Sequence, residues 1–151
     1  MAKFRYRMQN ILDVKLKLEE QAKAEFAIAA RRLSEEEERL QELQLQRAEY
    51  ERLLRESTIG RLDFNDITFY KSAINTMKTK IRTQMMQVHT AQRNMEAKRR
   101  QLNDIRADRK THENLKEKAF DVFKEELAKE ESKSIDELVS FTYGDKQAGE
   151  V

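Results

Sequence analysis

Apolar and small residues recur in the first part of the chain at alternating spacings of three and four, the heptad pattern of a coiled coil. Two successive steps of four, from Leu18 to Ala22 and on to Phe26, break the alternation and predict a local relaxation of the left-handed supercoil. No proline interrupts the pattern, which predicts a first helix over about residues 4–56. Its predicted seam runs through Phe4, Met8, Ile11, Lys15, Leu18, Ala22, Phe26, Ala29, Leu33, Glu36, Leu40, Leu43, Arg47, Tyr50 and Leu54.

A second heptad stripe begins after the segment STIGRLDFND. Gly60 is the one glycine in the interior of the chain, so we expect a turn at about residues 57–63. Asp63 is placed to cap the helix that follows, because a carboxylate there accepts hydrogen bonds from the first free amides. The second helix is predicted over about residues 64–141, with a disordered tail at about 142–151. Its seam runs through Ile67, Tyr70, Ile74, Met77, Ile81, Val88, Ala91, Met95, Leu102 and Ile105.

The two stripes match each other as an antiparallel pair folded about Gly60. In such a pair the numbers of facing residues sum to a constant, a match that a parallel dimer does not require. The sequence therefore predicts an all-α fold, a long antiparallel two-helix coiled-coil hairpin with the second helix longer. Polar positions such as Glu36 opposite Gln84 are expected to weaken the seam. The matched pairs are Leu54 with Ile67, Tyr50 with Tyr70, Leu43 with Met77, Leu40 with Ile81, Leu33 with Val88, Ala29 with Ala91 and Phe26 with Met95.

The second helix is predicted to extend past its partner. The same register places Phe4 near Lys116, so the residues that follow have no partner within the hairpin. An exposed apolar stripe of this length indicates a binding partner, with a disordered tail as the alternative. The apolar residues concerned are Phe120, Val122, Phe123, Leu127, Ile135, Leu138 and Phe141.

Composition and charge support an elongated docking protein. Charged residues make up 38% of the chain and its mean hydropathy is −0.91, which is too polar for a compact layered core. The chain has no cysteine, which excludes disulfides and thiolate metal sites, and no apolar run long enough for a membrane span. Residues 1–18 and 71–118 are basic, whereas 19–56 and 119–151 are acidic, and such blocks favour docking between proteins.

Residues that could carry chemistry do not form a site. His89 and His112 lie far apart on one helix, and Glu35–Glu38 point in different directions around another, so neither set suits metal binding or acid–base catalysis. We therefore expect no enzyme, metal or cofactor. The basic run from Ala97 to Lys110 raises nucleic acid as a partner, but acidic residues interrupt it and stacking aromatics are absent.

Both ends of the chain resemble a known family. The start FRYRMQNILDVKLKLEEQAKAEF combines an aromatic pair, a short Gln-x-Ile-Leu-Asp segment and a charged helix. The closing ENLKEKAFDVFKEELAKEESKSIDELVSF has Glu-x-Leu and Phe-x-x-Glu spacing, followed by lysine and then Asp-Glu. These features, the length and the central turn resemble the flagellar export protein FliJ.

The resemblance implies a non-enzymatic cytoplasmic stalk of the bacterial flagellar type III export apparatus, similar to the rotor stalk of F-type ATPases. The end that carries both termini would enter the hexameric export ATPase and stimulate it. We predict that most of this contact comes from Phe4, Tyr6, Met8, Leu12, Phe120, Phe123 and Leu127. The alternative is that Phe4 and Phe120 only hold the two strands together. The turn end and the middle would receive export chaperones and contact the cytoplasmic domain of the export gate protein, through Leu43, Tyr50, Ile74 and Met77. These four positions also belong to the predicted seam, so burial between the helices is the alternative explanation for them. Membrane association would then be peripheral.

Two other hypotheses stay open from the sequence. One is another cytoplasmic coiled-coil adaptor or scaffold, such as a virulence-type export stalk. The other is a nucleic-acid or membrane-surface binder acting through residues 1–18 and 97–110, whose affinity would fall steeply with salt.

Overall fold

The computed structural model describes residues 2–148, with side chains for residues 2–144. The described chain forms two helices, α1 (Gln9–Ser57) and α2 (Phe64–Ala148). They pack antiparallel and α2 is the longer, which confirms the predicted fold class. The chain divides into a first unit, made of residues up to Glu19 together with those from Ile105 onward, and a second unit, Glu20–Asp104.

The second unit has the predicted seam. Its buried residues on α1 are spaced seven apart, and those on α2 from Ile74 to Gln84 alternate spacings of three and four. Three of the buried residues are alanines, whose small side chains let the helix backbones approach closely. Leu33, Leu40, Leu43 and Tyr50 are half-buried along the same line. The buried apolar residues are Ala22, Ala29, Ile74, Met77, Ile81, Ala91 and Leu102.

Glu36 and Gln84 face each other across this seam, as the predicted register requires. The Gln84 side-chain amide donates to the Glu36 carbonyl oxygen at 2.9 Å and to the Glu36 carboxylate. Arg32 and Arg39, on the same helix turns, lie 3.1 Å and 3.7 Å from that carboxylate. Both residues of the pair are buried, Glu36 at 2% and Gln84 at 6% exposure. The expected mismatch is therefore a satisfied polar pair that reports the register directly.

The turn forms where it was predicted, between Ser57 and Phe64. The Ser57 hydroxyl donates to the Leu54 carbonyl at 2.8 Å and so satisfies a carbonyl that the end of α1 leaves free. Gly60 takes a φ of 85°, the left-handed region that reverses the chain direction. The Asp63 carboxylate accepts from the Asn65 amide at 2.9 Å, which confirms the predicted cap of α2.

Replacing Gly60 by alanine is expected to lower the free energy of unfolding by about 1–2 kcal/mol, the cost of a side chain in left-handed backbone. A Cβ there would meet no atom within 4 Å, so the whole effect comes from the backbone. Urea unfolding followed by circular dichroism measures it. The control is Gly144→Ala, because Gly144 is helical and equally unobstructed, so this change should not destabilise. An equal loss in the free energy of unfolding for Gly60→Ala and Gly144→Ala would contradict the prediction.

In the first unit, the seam of α1 differs from the predicted seam by one residue. Leu12 and Glu19 are buried, at 3% and 4% exposure. The predicted seam residues Met8, Ile11 and Leu18 are 39–41% exposed instead. These three predicted positions are therefore wrong, whereas the predicted position Lys15 is half-buried, and a charged residue takes the place expected for a leucine.

The heptad alternation consequently continues without interruption through Glu19, and the break predicted between Leu18 and Phe26 is absent. Arginines on α2 explain why a glutamate is accepted in the seam. Arg109 binds the Glu19 carboxylate through two hydrogen bonds of 2.6 Å and 3.1 Å, and Arg106 lies 3.4 Å from it. A buried carboxylate is tolerated when it is paired and hydrogen-bonded in this way.

The chain before α1 is not helical. A helix was predicted from about residue 4, but α1 begins at Gln9, where the backbone amide donates to the Tyr6 carbonyl at 3.1 Å. Non-helical residues advance about 3.3 Å each, against about 1.5 Å in a helix. Phe4 therefore lies farther along α2 than the predicted position near Lys116, and contacts Phe120 and Phe123.

The other end of the structure also differs from the sequence expectation. A tail was expected after about residue 141, whereas α2 continues to Ala148. No proline interrupts this stretch, and the Thr142 hydroxyl donates to the Leu138 carbonyl at 2.9 Å, as a threonine inside a helix does. The remainder of the expected tail, residues 149–151, lies outside the described residues.

Candidate functional site

Three phenylalanines from both ends of the chain form an aromatic cluster in the first unit. Phe4 meets Phe120 edge-on, with ring centroids 5.1 Å apart, and meets Phe123 at 5.4 Å. The Lys124 ammonium lies 4.6 Å from the centroid of the Phe120 ring, a cation–π contact. Edge-to-face pairs of this kind add to the stabilisation from burial. The cluster fixes residues 2–8 against α2 and presents an apolar surface bordered by positive charge.

An ion-pair network lies next to the cluster. Besides its two bonds to Glu19, Arg109 donates to the Glu113 carboxylate at 2.8 Å. The hydrogen bonds that Arg109 donates to Glu19, and then the one that it donates to Glu113, raise the pKa of its guanidinium above the ordinary value, so this side chain stays charged. The network holds one face of α1 towards α2.

A second ion pair joins the helices on the surface of the same unit. Lys15 Nζ lies 2.6 Å from Asp108 Oδ2. The hydrogen bond from Lys15, with a smaller effect of nearby His112, holds the pKa of the Asp108 carboxyl below its ordinary value. Asp108 is thus ionised over a wider pH range in the folded chain than in the unfolded one.

Replacing Asp108 by asparagine is expected to lower the melting temperature slightly at neutral pH and to have no effect in strong acid. Because folding lowers the pKa of this carboxyl, its stabilisation is present above the unfolded pKa of about 4 and is lost as pH falls through the lowered value. Thermal melts across this pH range measure the difference between variant and parent. The control is Asp104→Asn, a change at an exposed aspartate, which should leave the melting temperature unchanged. If Asp108→Asn lowered the melting temperature equally at every pH, the prediction would be wrong.

All the residues expected to contact the ATPase lie in the first unit, but they differ in accessibility. Met8 and Phe120 are exposed, each at 39%. Leu12 is buried in the seam, so its side chain supports the surface from beneath. The half-buried ones are Phe4, Tyr6, Phe123 and Leu127.

Past this cluster α2 has no partner among the described residues. Every residue from 128 to 144, here called the exposed extension, is open to solvent. It carries four acidic and two basic side chains. Its large apolar side chains are 59–70% exposed, an apolar surface of the kind that marks an interaction site. They are Ile135, Leu138, Val139, Phe141 and Tyr143.

The residues expected to contact the export gate lie in the seam of the second unit. Ile74 and Met77 are buried, and Leu43 and Tyr50 are half-buried. The most accessible apolar side chains of this unit include several around the turn that the sequence reasoning did not single out. The sequence could have identified them as exposed, because they are large apolar residues that fall outside the heptad positions. They are Ile59, Leu62, Phe64 and Phe69.

The described residues contain no group of three or more His, Cys, Asp or Glu side chains that could hold a metal ion, and no helix long and apolar enough to cross a membrane. The basic run largely serves ion pairs within the chain. Lys98 pairs with Glu25 at 3.3 Å and Arg99 with Glu96 at 3.3 Å, in addition to the arginines that bind Glu19.

Comparison with protein families gives a match over nearly the whole chain. The family model described as "Flagellar FliJ protein" matches residues 4–148. This range includes the aromatic cluster, both helices, the turn and the exposed extension. The comparisons with curated proteins and with solved structures gave no match.

Proposed function

Because the chain belongs to the flagellar FliJ family and is thus a component of the flagellar export apparatus, we propose that it acts there as a non-enzymatic stalk. The stalk enters the central opening of the hexameric export ATPase, promotes ring assembly and stimulates hydrolysis. It works in the cytoplasm, peripherally at the inner face of the membrane.

The extent of the family match carries this proposal, because the match includes both ends of the chain and not only the heptads that coiled coils share. The geometry of the first unit supports it. The aromatic cluster brings the basic segment before α1 against α2, and the exposed extension that follows is acidic and apolar. A surface with both signs of charge around exposed apolar side chains suits the lining of a protein ring.

The proposed ring contact is formed by the accessible members of the predicted set together with the exposed extension. Met8 and Phe120 supply exposed apolar area, and the half-buried residues supply the edges of the cluster. Leu12 contributes by holding α1 against α2 rather than by touching the ring. The half-buried contributors are Phe4, Tyr6, Phe123 and Leu127.

We further propose that the second unit contacts the cytoplasmic domain of the export gate protein and receives export chaperones. Leu43 and Tyr50 present the accessible part of this surface, because each keeps part of its side chain in solvent. Ile74 and Met77 shape it from the seam.

The test is the ATP hydrolysis rate and ring assembly of the purified cognate export ATPase, with and without this protein, at low and high salt. We expect faster hydrolysis and more complete rings, with weaker stimulation at high salt because charged surfaces steer the encounter. No stimulation together with no binding would leave a coiled-coil adaptor of another pathway. Binding to DNA or RNA that collapses with salt would favour the nucleic-acid alternative.

A further inference from the structure

The first unit exposes an apolar stripe on α1 that the helix pair does not use. Ile11, Val14 and Leu18 follow one another at spacings of three and four, and all three are exposed. Each immediately precedes a seam position, so this outer stripe lies about 100° around the helix from the seam. Its spacing is that of a second coiled-coil seam, which indicates that another helix packs there.

The outer stripe faces solvent because α1 buries the charged residue Glu19 instead of Leu18. A rotation of α1 by about 100° would bring Leu18 into the seam in place of Glu19. The bidentate bond from Arg109 to Glu19, with Arg106 beside it, opposes that rotation. The exposure of Leu18 therefore follows from a specific interaction, not from a lack of packing alternatives.

The exposed extension carries a matching stripe. Ile135, Leu138 and Thr142 repeat the same spacings of three and four and are open to solvent. Their charge surroundings are opposite. The extension holds four acidic and two basic side chains, whereas residues 2–18 hold five basic and one acidic.

We propose that the outer stripe of α1 and the stripe of the exposed extension bind each other between two copies of this chain. Charge decides the pairing, since two basic α1 ends repel, two acidic extensions repel, and the cross pairing attracts. The stripes are equal in length, each spanning seven residue steps or roughly 10 Å of helix. One chain thus carries both halves of a complementary surface, which identifies a second copy as the occupant.

The geometry of such a dimer is closed. Within one copy α1 and α2 are antiparallel. A two-fold axis perpendicular to the helices reverses their direction in the second copy. The extension of one copy therefore runs parallel to α1 of the other. The axis repeats the contact, so the dimer contains it twice and no surface is left to extend the assembly. This inference goes beyond the proposed stalk function and is tested without the ATPase.

The test is analytical ultracentrifugation of the full chain over a concentration series, at low and high salt. We expect a monomer–dimer equilibrium that weakens as salt rises. The α1 variant Ile11→Ser with Leu18→Ser, and the extension variant Ile135→Ser with Leu138→Ser, should each raise the dimer dissociation constant by roughly ten-thousandfold, because each removes four apolar anchors from the two-fold dimer. The control Met86→Ser, which changes an exposed apolar residue outside both stripes, should dimerise as the parent does.

Mixing the two double variants distinguishes this arrangement from others. Each variant alone loses both contacts of its dimer, but the mixture retains one intact α1 stripe facing one intact extension. We expect the mixture to form a heterodimer tighter than either variant with itself. Circular dichroism establishes that both variants keep their helices. A parent chain that stays monomeric, or a mixture that dimerises no better than its components, would overturn the proposal.

Discussion

Replacing Gln84 by leucine is expected to lower the free energy of unfolding by about 2 kcal/mol, although it puts an apolar residue into an apolar seam. Gln84 is the donor on α2 that satisfies the buried Glu36 carboxylate and the Glu36 carbonyl. Without it the carboxylate keeps only Arg32 and Arg39, which lie mostly in solvent, and a buried acceptor loses its partner. Chemical unfolding followed by circular dichroism measures the loss.

Two further variants identify the cause. Gln87→Leu, a similar change on the exposed side of α2, should alter the free energy of unfolding by less than about 0.5 kcal/mol. Glu36→Leu combined with Gln84→Leu should restore or exceed the parent's stability, because an apolar pair replaces a buried polar one without leaving an unpaired group. A double variant as unstable as Gln84→Leu would contradict this reading of the pair.

Ending the chain after Leu127 is expected to remove most of the stimulation of the export ATPase while leaving the fold intact. The deletion takes away the exposed extension with its apolar side chains. In the proposed complex the ATPase ring buries apolar side chains of the extension. Losing two of them, at about 1.5 kcal/mol each, weakens binding to the ATPase by roughly a hundredfold. Since residues 128–144 are open to solvent throughout, the helix pair loses no packing, and its unfolding midpoint should stay unchanged. ATP hydrolysis assays and denaturant unfolding give the two readouts.

The control for this truncation is Ser140→Asn, on the side of the extension away from Ile135 and Leu138. It should stimulate as the parent does. Full stimulation by the truncated chain would remove the extension from the proposed ring contact and leave only the aromatic cluster. Loss of stimulation together with loss of helical structure would show instead that the extension stabilises the fold.

The second helix was predictable from its sequence because its apolar residues and its seam coincide. From Ile67 to Ile105 every seam position except two polar ones is apolar or small, so only one helix face suits burial. The polar position Gln84 did not disturb the prediction, since the alternation continued on either side of it. The pairing followed because the opposite helix carries the same spacing.

The start of α1 was not predictable in the same way, because it carries two apolar stripes. Following the larger side chains leads through Ile11 and Leu18, whereas the structure buries Leu12 and Glu19. What decides between the stripes is Arg109, ninety positions away along the chain from Glu19, and periodicity within one helix contains no information about it. The non-helical residues 2–8 escaped prediction for a related reason, since their place depends on rings of α2 that Phe4 meets.

α1 packs against only part of α2, so the two parts of this helix should differ in how they unfold locally. Around Ile74, Met77 and Ile81 its backbone is covered by α1, whereas in residues 128–144 every turn is in contact with solvent alone. A helical turn without tertiary packing is marginal in water. Amide hydrogens of the extension should therefore exchange through local fraying, and those of the covered stretch only through cooperative opening of both helices. A single uninterrupted helix thus contains a slow-exchanging segment and a fast-exchanging one.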